Sequence, residues 1–292
     1  MAKRPSISIV GCGRAGGSIA LALQQAGYPI LAVWSRSRSG RQRAHRLLDV
    51  PVLSGIAETV SAADVAVVAV PDDAIENVAA EAAAGAGPGQ RVAHTSGATS
   101  VQALAAVRAS GASVASMHPL QTLPDPHKGA EALNGAPVAV TCDPADRPFL
   151  HRLAMGWGGK PFALPDDAKP AYHAAAVFAS NYVLAVVHAA TALLEGIGLA
   201  QGRALIAPLV RTSVDNVLSA GAASSITGPA ARGDTGTLRM HVEALRARTP
   251  EGMQDPIAGA YLSLAALSAV LAGRSPDVLG EPPARPAEEP AR

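Results

Sequence analysis

Short apolar runs alternate with helical patterns through the first half of the chain. Runs at residues 6–10, 30–34, 65–70, 91–94, 114–117, 137–141 and 161–164 predict strands. Helical periods at 16–26, 73–84, 100–109 and 144–155 follow several of them, the arrangement of βαβ units around a mostly parallel sheet. The texture changes at LPDDAKP, residues 164–170, a polar connector bounded by prolines. Beyond it strand-like runs disappear. The pattern predicts a bundle of four or five helices, the first running from Pro170 to Gly196 or Gly198 and others near 203–220, 235–248 and 256–271. Residues 274–292 are rich in proline and charge and read as disordered. The expected organisation is an α/β domain over 1–165, an all-α domain over 166–273 and a tail over 274–292.

Composition narrows the class. The chain has 292 residues, 49% of them hydrophobic, so it is long enough for two domains with a sizeable core. A net charge of +1 gives no case for a nucleic-acid or membrane-surface partner. Two cysteines, Cys12 and Cys142, argue for a reducing compartment and against a disulfide or zinc framework; no metal site is expected. MAKRPSISIV enters a strand directly and lacks the apolar region of a signal peptide, so the expected location is cytoplasmic. Residues 171–194 are mostly Ala, Val and Leu, but His173, Ser180, Asn181, His188 and Thr191 interrupt them. Such groups are expensive in lipid, so the stretch is expected to be a helix buried inside a soluble protein.

The glycine spacing in VGCGRAGGSIA sharpens the first domain. Gly11, Gly13 and Gly16 follow an apolar strand and open an Ala/Leu-rich helix, the context a dinucleotide-binding turn requires. Gly11 permits the tight turn, Gly13 admits a pyrophosphate, and Gly16 lets helix and strand touch. Arg14 and Ala15 begin the helix, whose free N–H groups suit phosphate oxygens. Past the second strand, where a carboxylate would grip an adenosine ribose, the chain reads Ser35-Arg36-Ser37-Arg38. Hydroxyls and guanidinium groups match a 2′-phosphate, so the cofactor is expected to be NADP rather than NAD. Arg41, Arg43 and Arg46 read instead as a solvated helix face. Val70 and Pro71 end the third strand at the sheet's ligand edge and are expected to shape the nicotinamide pocket, with Asp72 or Asp73 capping the next helix.

Two further strand ends carry polar residues. RVAHTSGATS continues past His94 to Ser96, and VASMHPLQTL places His118 just beyond its strand. A hydride acceptor needs a partner that polarises or protonates it, and histidine is the usual choice. His118 is that candidate, with a backbone-bonded loop residue as the alternative. Ser96 either assists it or caps the helix near Ser100. On the buried helix, His173 with Ser180, and Asn181 with His188, form adjacent stripes if every residue turns the helix by the usual 100°. His173 and Asn181 are candidate substrate contacts or members of a core polar network. In TGPAARGD, Asp234 is expected to cap the helix that follows, with Arg232 in an ion pair or on a substrate carboxylate.

GCGRAGG, AVPDDAI, HTSGA, SMHPLQT, YHAAAVFASNYV and GPAARGD, in that order, resemble the family that joins a Rossmann-like NAD(P) domain to the helical domain of unknown function 2520. That family is similar to 6-phosphogluconate dehydrogenases, pyrroline-5-carboxylate reductases, ketopantoate reductases and prephenate dehydrogenases. The resemblance implies a helical domain that contributes to the substrate pocket and to a homodimer. It also implies that Ser96 and His118 correspond to the hydroxyl-binding serine and histidine of prephenate dehydrogenases. Ketopantoate reductases use a lysine with an asparagine one helical turn later; here Lys169 has His173 at that distance. The expected activity is an NADPH-dependent reduction of a small carbonyl compound, a 2-keto acid such as ketopantoate. The alternatives are an imine reductase or hydroxy-acid dehydrogenase using the same site, and a regulator that binds NADP without chemistry.

Overall fold

Strand β1 (Ile7–Val10) has both faces covered, and its side chains divide between them: Ile7 and Ile9 enter one core, Val10 the other. The computed structural model, which describes residues 4–249 and 252–279, extends this division across the sheet. In β3 (Val65–Val68), Val65 and Val67 face the first core while Ala66 and Val68 face the second. In β4 (Arg91–His94), Ala93 and Val92 divide the same way, as do Met117 and Val114 in β5 (Ser113–Pro119). Period-two alternation with apolar residues on both sides is what a sheet sandwiched by helices requires.

With β2 (Ile30–Trp34), β6 (Pro137–Cys142) and β7 (Lys160–Ala163), the sheet has seven strands in the order β2-β1-β3-β4-β5-β6-β7. Every pairing is parallel except β5 with β6, so the expected mostly parallel α/β sheet is observed. Strand β7 is an edge with mainly exposed residues, a position that tolerates Pro161. The chain leaves β1 for β2 on one side and β3 on the other. That reversal creates a crevice beyond the carboxyl ends of these strands.

The helix expected to carry Arg41, Arg43 and Arg46 is Arg38–Leu48, and two further helices in the first half were not expected, Ile56–Ser61 and Pro126–Ala132. Pro126–Ala132 is marked by its Asp125 cap and a first-position proline. The cap expected of Asp72 or Asp73 is absent, because the turn Asp72–Ala74 is a 3-10 turn with no side-chain cap.

Contacts divide the chain into two units, one ending at Ser180 and the other beginning at Asn181, later than the connector at 164–170. The helix Lys169–Val177 is thus part of the first unit. In the second unit lie Val183–Gly196, Gly202–Ala220, Thr235–Arg248 and Gln254–Leu271, close to the expected helices, with short helices Ala222–Ser225 and Pro229–Arg232 between them. Asp234 accepts from the Thr237 N–H at 3.0 Å, the expected cap. One small core joins Leu245, Ile257 and Ala258 with Ala189 and Leu193; another joins Ala230, Leu238 and Ala265 with Val278 and Leu279. Part of the tail expected to be disordered is therefore packed, and Arg274 also donates to the Ala231 carbonyl at 2.6 Å. Residues 280–292 lie outside the described residues.

The helical run Asp166–Gly196, 31 residues with mean hydropathy 1.7 in its most apolar window, is long and apolar enough to cross a membrane. None of that window is buried, which corrects the expectation of a buried helix over 171–194. Ala189 and Leu193 have partners, but Leu184 is 67% and Val186 47% exposed in the single chain. A π turn at Phe178–Tyr182 interrupts the run. Its i→i+5 bonding breaks the constant 100° step, so the stripes drawn through His173, Ser180, Asn181 and His188 do not hold.

Candidate functional site

The turn after β1 is built for close approach. Gly11 has φ +104°, and a Cβ there would lie 2.4 Å from the Ala69 carbonyl oxygen. A Cβ on Gly16 would lie 2.0 Å from the Gly11 carbonyl oxygen, so the helix Arg14–Gln25 sits on the strand as only glycine permits. A Cβ on Gly13 would meet nothing within 4 Å; the space above this residue is open. The helix that begins at Arg14 and Ala15 has no side-chain cap and no acidic residue in its first turn. Its first N–H groups are thus left for an anion. Val70 borders the turn, with Cγ1 3.0 Å from the Gly11 Cβ position, and Pro71 is exposed beside it.

Beyond β2, Ser37 caps the helix Arg38–Leu48 by accepting from the Gly40 N–H at 3.0 Å. Ser35 is buried against Gly40, while Arg36 and Arg38 are exposed. Arg43 departs from the solvated face expected of it, being half-buried, whereas Arg41 is exposed. Arg41 donates to the carbonyls of Ser35 (3.2 Å) and Arg36 (2.7 Å), and Arg43 donates to the Cys12 carbonyl at 3.1 Å. Both long side chains turn back along the helix surface to backbone carbonyls. Uncapped N–H groups, an unfilled glycine turn and a cluster of guanidinium groups fit the phosphates of a dinucleotide.

The second cluster forms where β4 and β5 end. Ser116 and His118 alternate onto one face of β5, and the helix Lys169–Val177 lays Lys169, Tyr172 and His173 over them. These three stand at i, i+3 and i+4, hence on one side of the first turns. Lys169 is 1% exposed; its Nζ donates to Ser116 Oγ at 2.7 Å and to the Ser96 carbonyl at 3.0 Å. The Tyr172 hydroxyl lies 2.8 Å from His118 Nδ1, and the two rings meet edge to face. The His118 and His173 rings are 5.9 Å apart, also edge to face. Both crowd Gly97: a Cβ there would lie 2.7 Å from His173 Nδ1 and 2.9 Å from His118 Nε2. His173 Nδ1 is buried without a hydrogen-bond partner.

Burial dominates the electrostatics. It lowers His118 from the usual 6.5 to about 4, helped by His173 and Lys169. His94 is lowered to about 4 for the same reason, with Lys169 again contributing; its Nδ1 accepts from the Ser96 N–H at 3.2 Å. Lys169 falls from 10.5 to about 8 because its desolvation outweighs the pull of Asp166 and Asp72. Desolvation also raises Tyr172 from 10 to about 12. At neutral pH His94 and His118 are therefore neutral imidazoles, Tyr172 an intact phenol and Lys169 a buried ammonium.

Ser96 is corrected from a partner of His118 to a builder of its loop. Its hydroxyl accepts from the N–H groups of Ala98 (3.2 Å) and Thr99 (2.9 Å) and donates to Asp72 Oδ2 at 2.8 Å. No proton is left for a substrate oxygen. The cap of the following helical turn is Ser100, which accepts from the Gln102 N–H. His118 and His173 are brought together as expected, whereas Asn181 is exposed and belongs to the second unit. Ser116, Gly97 and Tyr172 were not singled out by the sequence, and Asp72 was read only as a helix cap. Tyr172 alone carried a local signal, a polar residue on an otherwise apolar helix.

Residues 1–119 match the Rossmann-like domain family, and residues 136–267 match the domain of unknown function (DUF2520) family. No curated protein matches the sequence. Among solved structures, a Bacteroides fragilis protein provisionally named an NADP oxidoreductase is 19% identical, covering 91% of this chain and 98% of its own, with a TM-score of 0.79. An imine reductase from Myxococcus stipitatus in complex with NADP+ is 17% identical, with 94% and 98% covered and a TM-score of 0.65. A reductive aminase from Aspergillus terreus in complex with NADPH and ethyl levulinate is 19% identical, with 95% and 98% covered and a TM-score of 0.66. These likenesses concern the fold. The two matched families, side by side along the sequence, make the chain a member of the group that joins a Rossmann-like domain to a domain of unknown function 2520.

Proposed function

We propose that the protein is an NADPH-dependent oxidoreductase that delivers a hydride to a small carbonyl compound. The observation that carries this reading is the His118 cluster at the carboxyl ends of β4 and β5, on the sheet edge that also bears the glycine turn. Reduced nicotinamide, when bound, supplies the hydride. Gly11, Gly13, Arg14, Ala15 and Gly16 receive the pyrophosphate, and Ser35, Arg36 and Ser37 meet the adenosine 2′-phosphate. Val70 and Pro71 border the nicotinamide. His118 polarises the carbonyl oxygen through a ring N–H, and His173 lines the same space.

NADPH oxidation against a panel of 2-keto acids, ketopantoate among them, and cyclic imines tests the class and the substrate together. His118→Ala is expected to lower turnover at least about tenfold, and unchanged turnover removes it from the mechanism. Arg36→Ala is expected to weaken NADPH far more than NADH, read by fluorescence titration. Imine reduction is the second reading, favoured by the names of two proteins that share the fold, the imine reductase and the reductive aminase. A member of the panel turned over only as an imine decides for it. Tight NADPH binding with no turnover on any compound decides for a regulator without chemistry.

The same proposal includes a cytoplasmic homodimer formed through the helical unit. Leu184, Leu205, Leu209 and Leu218 are 67%, 55%, 68% and 80% exposed in the single chain, more apolar surface than a lone unit commonly leaves to water. A second copy of the chain is the occupant that the resemblance implies.

A further inference from the structure

His118 poses a problem for any reduction it serves. Among the described residues its Nδ1 is engaged by the Tyr172 hydroxyl at 2.8 Å, and its Nε2 makes no hydrogen bond and faces Gly97. With its pKa at about 4, the ring carries one proton at neutral pH and has no second one to give. Lys169 does not reach the imidazole: the hydrogen bonds of its Nζ run to Ser116 Oγ and the Ser96 carbonyl. Ser96 has committed its hydroxyl proton to Asp72. Tyr172 is the remaining donor in contact with the imidazole. It is half-buried, and its ring is held between His118 and Phe162 by edge contacts at 5.5 and 6.1 Å.

The direction of the Tyr172–His118 bond follows from ordinary hydrogen-bond chemistry. A phenol is the stronger donor of the two and an imidazole nitrogen the stronger acceptor. A hydroxyl that donates to Nδ1 leaves the single ring proton on Nε2, the nitrogen that makes no hydrogen bond among the described residues. The ring is thereby set in the tautomer that presents an N–H to an incoming oxygen.

We infer that Tyr172 is the proton source for the reduction and acts through His118, which relays the proton without becoming charged. This rests on the oxidoreductase reading. As the carbonyl carbon gains the hydride that reaction supplies, the C=O π electrons settle on oxygen. That oxygen takes the proton from His118 Nε2, and His118 Nδ1 takes the proton from the Tyr172 hydroxyl. The imidazole ends neutral in the other tautomer, and Tyr172 ends as a phenolate. Even at about 12, Tyr172 is a stronger acid than the alcohol formed, so the transfer runs downhill. One proton from water then enters at Nε2 while the Nδ1 proton returns to the phenolate, which restores Tyr172 and the first tautomer together. The groups around the ring in this exchange are Tyr172, His173, Lys169 and Asp72.

Two measurements test the inference. Nitrogen NMR of the His118 ring in the full-length protein without coenzyme is expected to find Nε2 protonated and Nδ1 accepting, with the Nδ1 signal displaced in Y172F. A ring protonated at Nδ1 in the parent protein, or a signal unmoved by Y172F, overturns the assignment without any need for turnover. In kinetics with NADPH and the best compound of the panel, Y172F is expected to lower kcat by about a hundredfold. It should leave the KM for NADPH unchanged and cause no further loss in an H118A background. Turnover equal to the parent, or losses that multiply in the double variant, sinks the relay. Absence of turnover by the parent protein on every compound overturns the oxidoreductase reading instead, and the NMR result still decides whether Tyr172 sets the ring.

Discussion

Lys169 is the residue on which both strand ends close, and its burial has consequences that acid and base can read. A lysine held at about 8 in the fold regains its ordinary 10.5 when the chain opens. Between those values the unfolded chain binds more protons than the folded one, so stability rises with pH from about 8 to 10.5. His94 and His118, held at about 4 against an ordinary 6.5, act the same way lower down. Stability is expected to rise from pH 4 to 6.5 and to drain away as the pH falls back through that interval. Urea midpoints across pH measure both windows. Lys169→Met should abolish the upper one and, by leaving Ser116 Oγ without the donor it accepts from, destabilise by roughly 1–3 kcal/mol at neutral pH. Gly97→Ala addresses the same cluster from the loop: its Cβ would press on both imidazoles and separate them. Turnover is expected to fall by about tenfold while the thermal midpoint moves little; full activity would show that the ring spacing is immaterial. The sequence exposed His118 because it terminates an apolar run, and Lys169 by its distance from His173, but it hid what Tyr172 and Lys169 touch. Their partners, His118 and Ser116, lie on a strand far away along the chain, and no local period links them.

Among the elements, the glycine turn was the most legible, since Gly11 and Gly16 are dictated by backbone clashes that any reader of the spacing can anticipate. Gly16→Ala is expected to destabilise the first unit by about 1–3 kcal/mol in urea titration, because a carbonyl oxygen rather than a flexible side chain stands 2.0 Å from the new carbon. A shift below experimental error would show that the helix slides away freely. The helix Arg38–Leu48 was read less well. Its period correctly made one face polar, yet periodicity cannot say where a long side chain bends, and Arg43 bends to the Cys12 carbonyl. The π turn at Phe178–Tyr182 defeated the stripe argument for a related reason: one residue of extra winding is invisible in a run of Ala and Val.

At the scale of the molecule, the alternation of strand and helix predicted the sheet and the bundle, and the long second-half periods predicted the helices from 202 onward. Sequence could not say which apolar faces a single chain covers by itself. The exposed leucines make the proposed pairing testable: sedimentation is expected to find a dimer, and Leu209→Glu with Leu218→Glu to give a monomer that keeps the Rossmann-like unit folded. A parent protein that sediments as a monomer at micromolar concentration removes the homodimer from the proposal. Finally, the packing of Val278 and Leu279 on Ala230 and Leu238, with Arg274 fastened to the Ala231 carbonyl, turns an unpromising stretch into a clasp. Trimming the gene after the last long helix, a natural choice for anyone preparing crystals, would strip that clasp and bare a hydrophobic floor. A stop codon placed beyond Leu279 leaves it fastened.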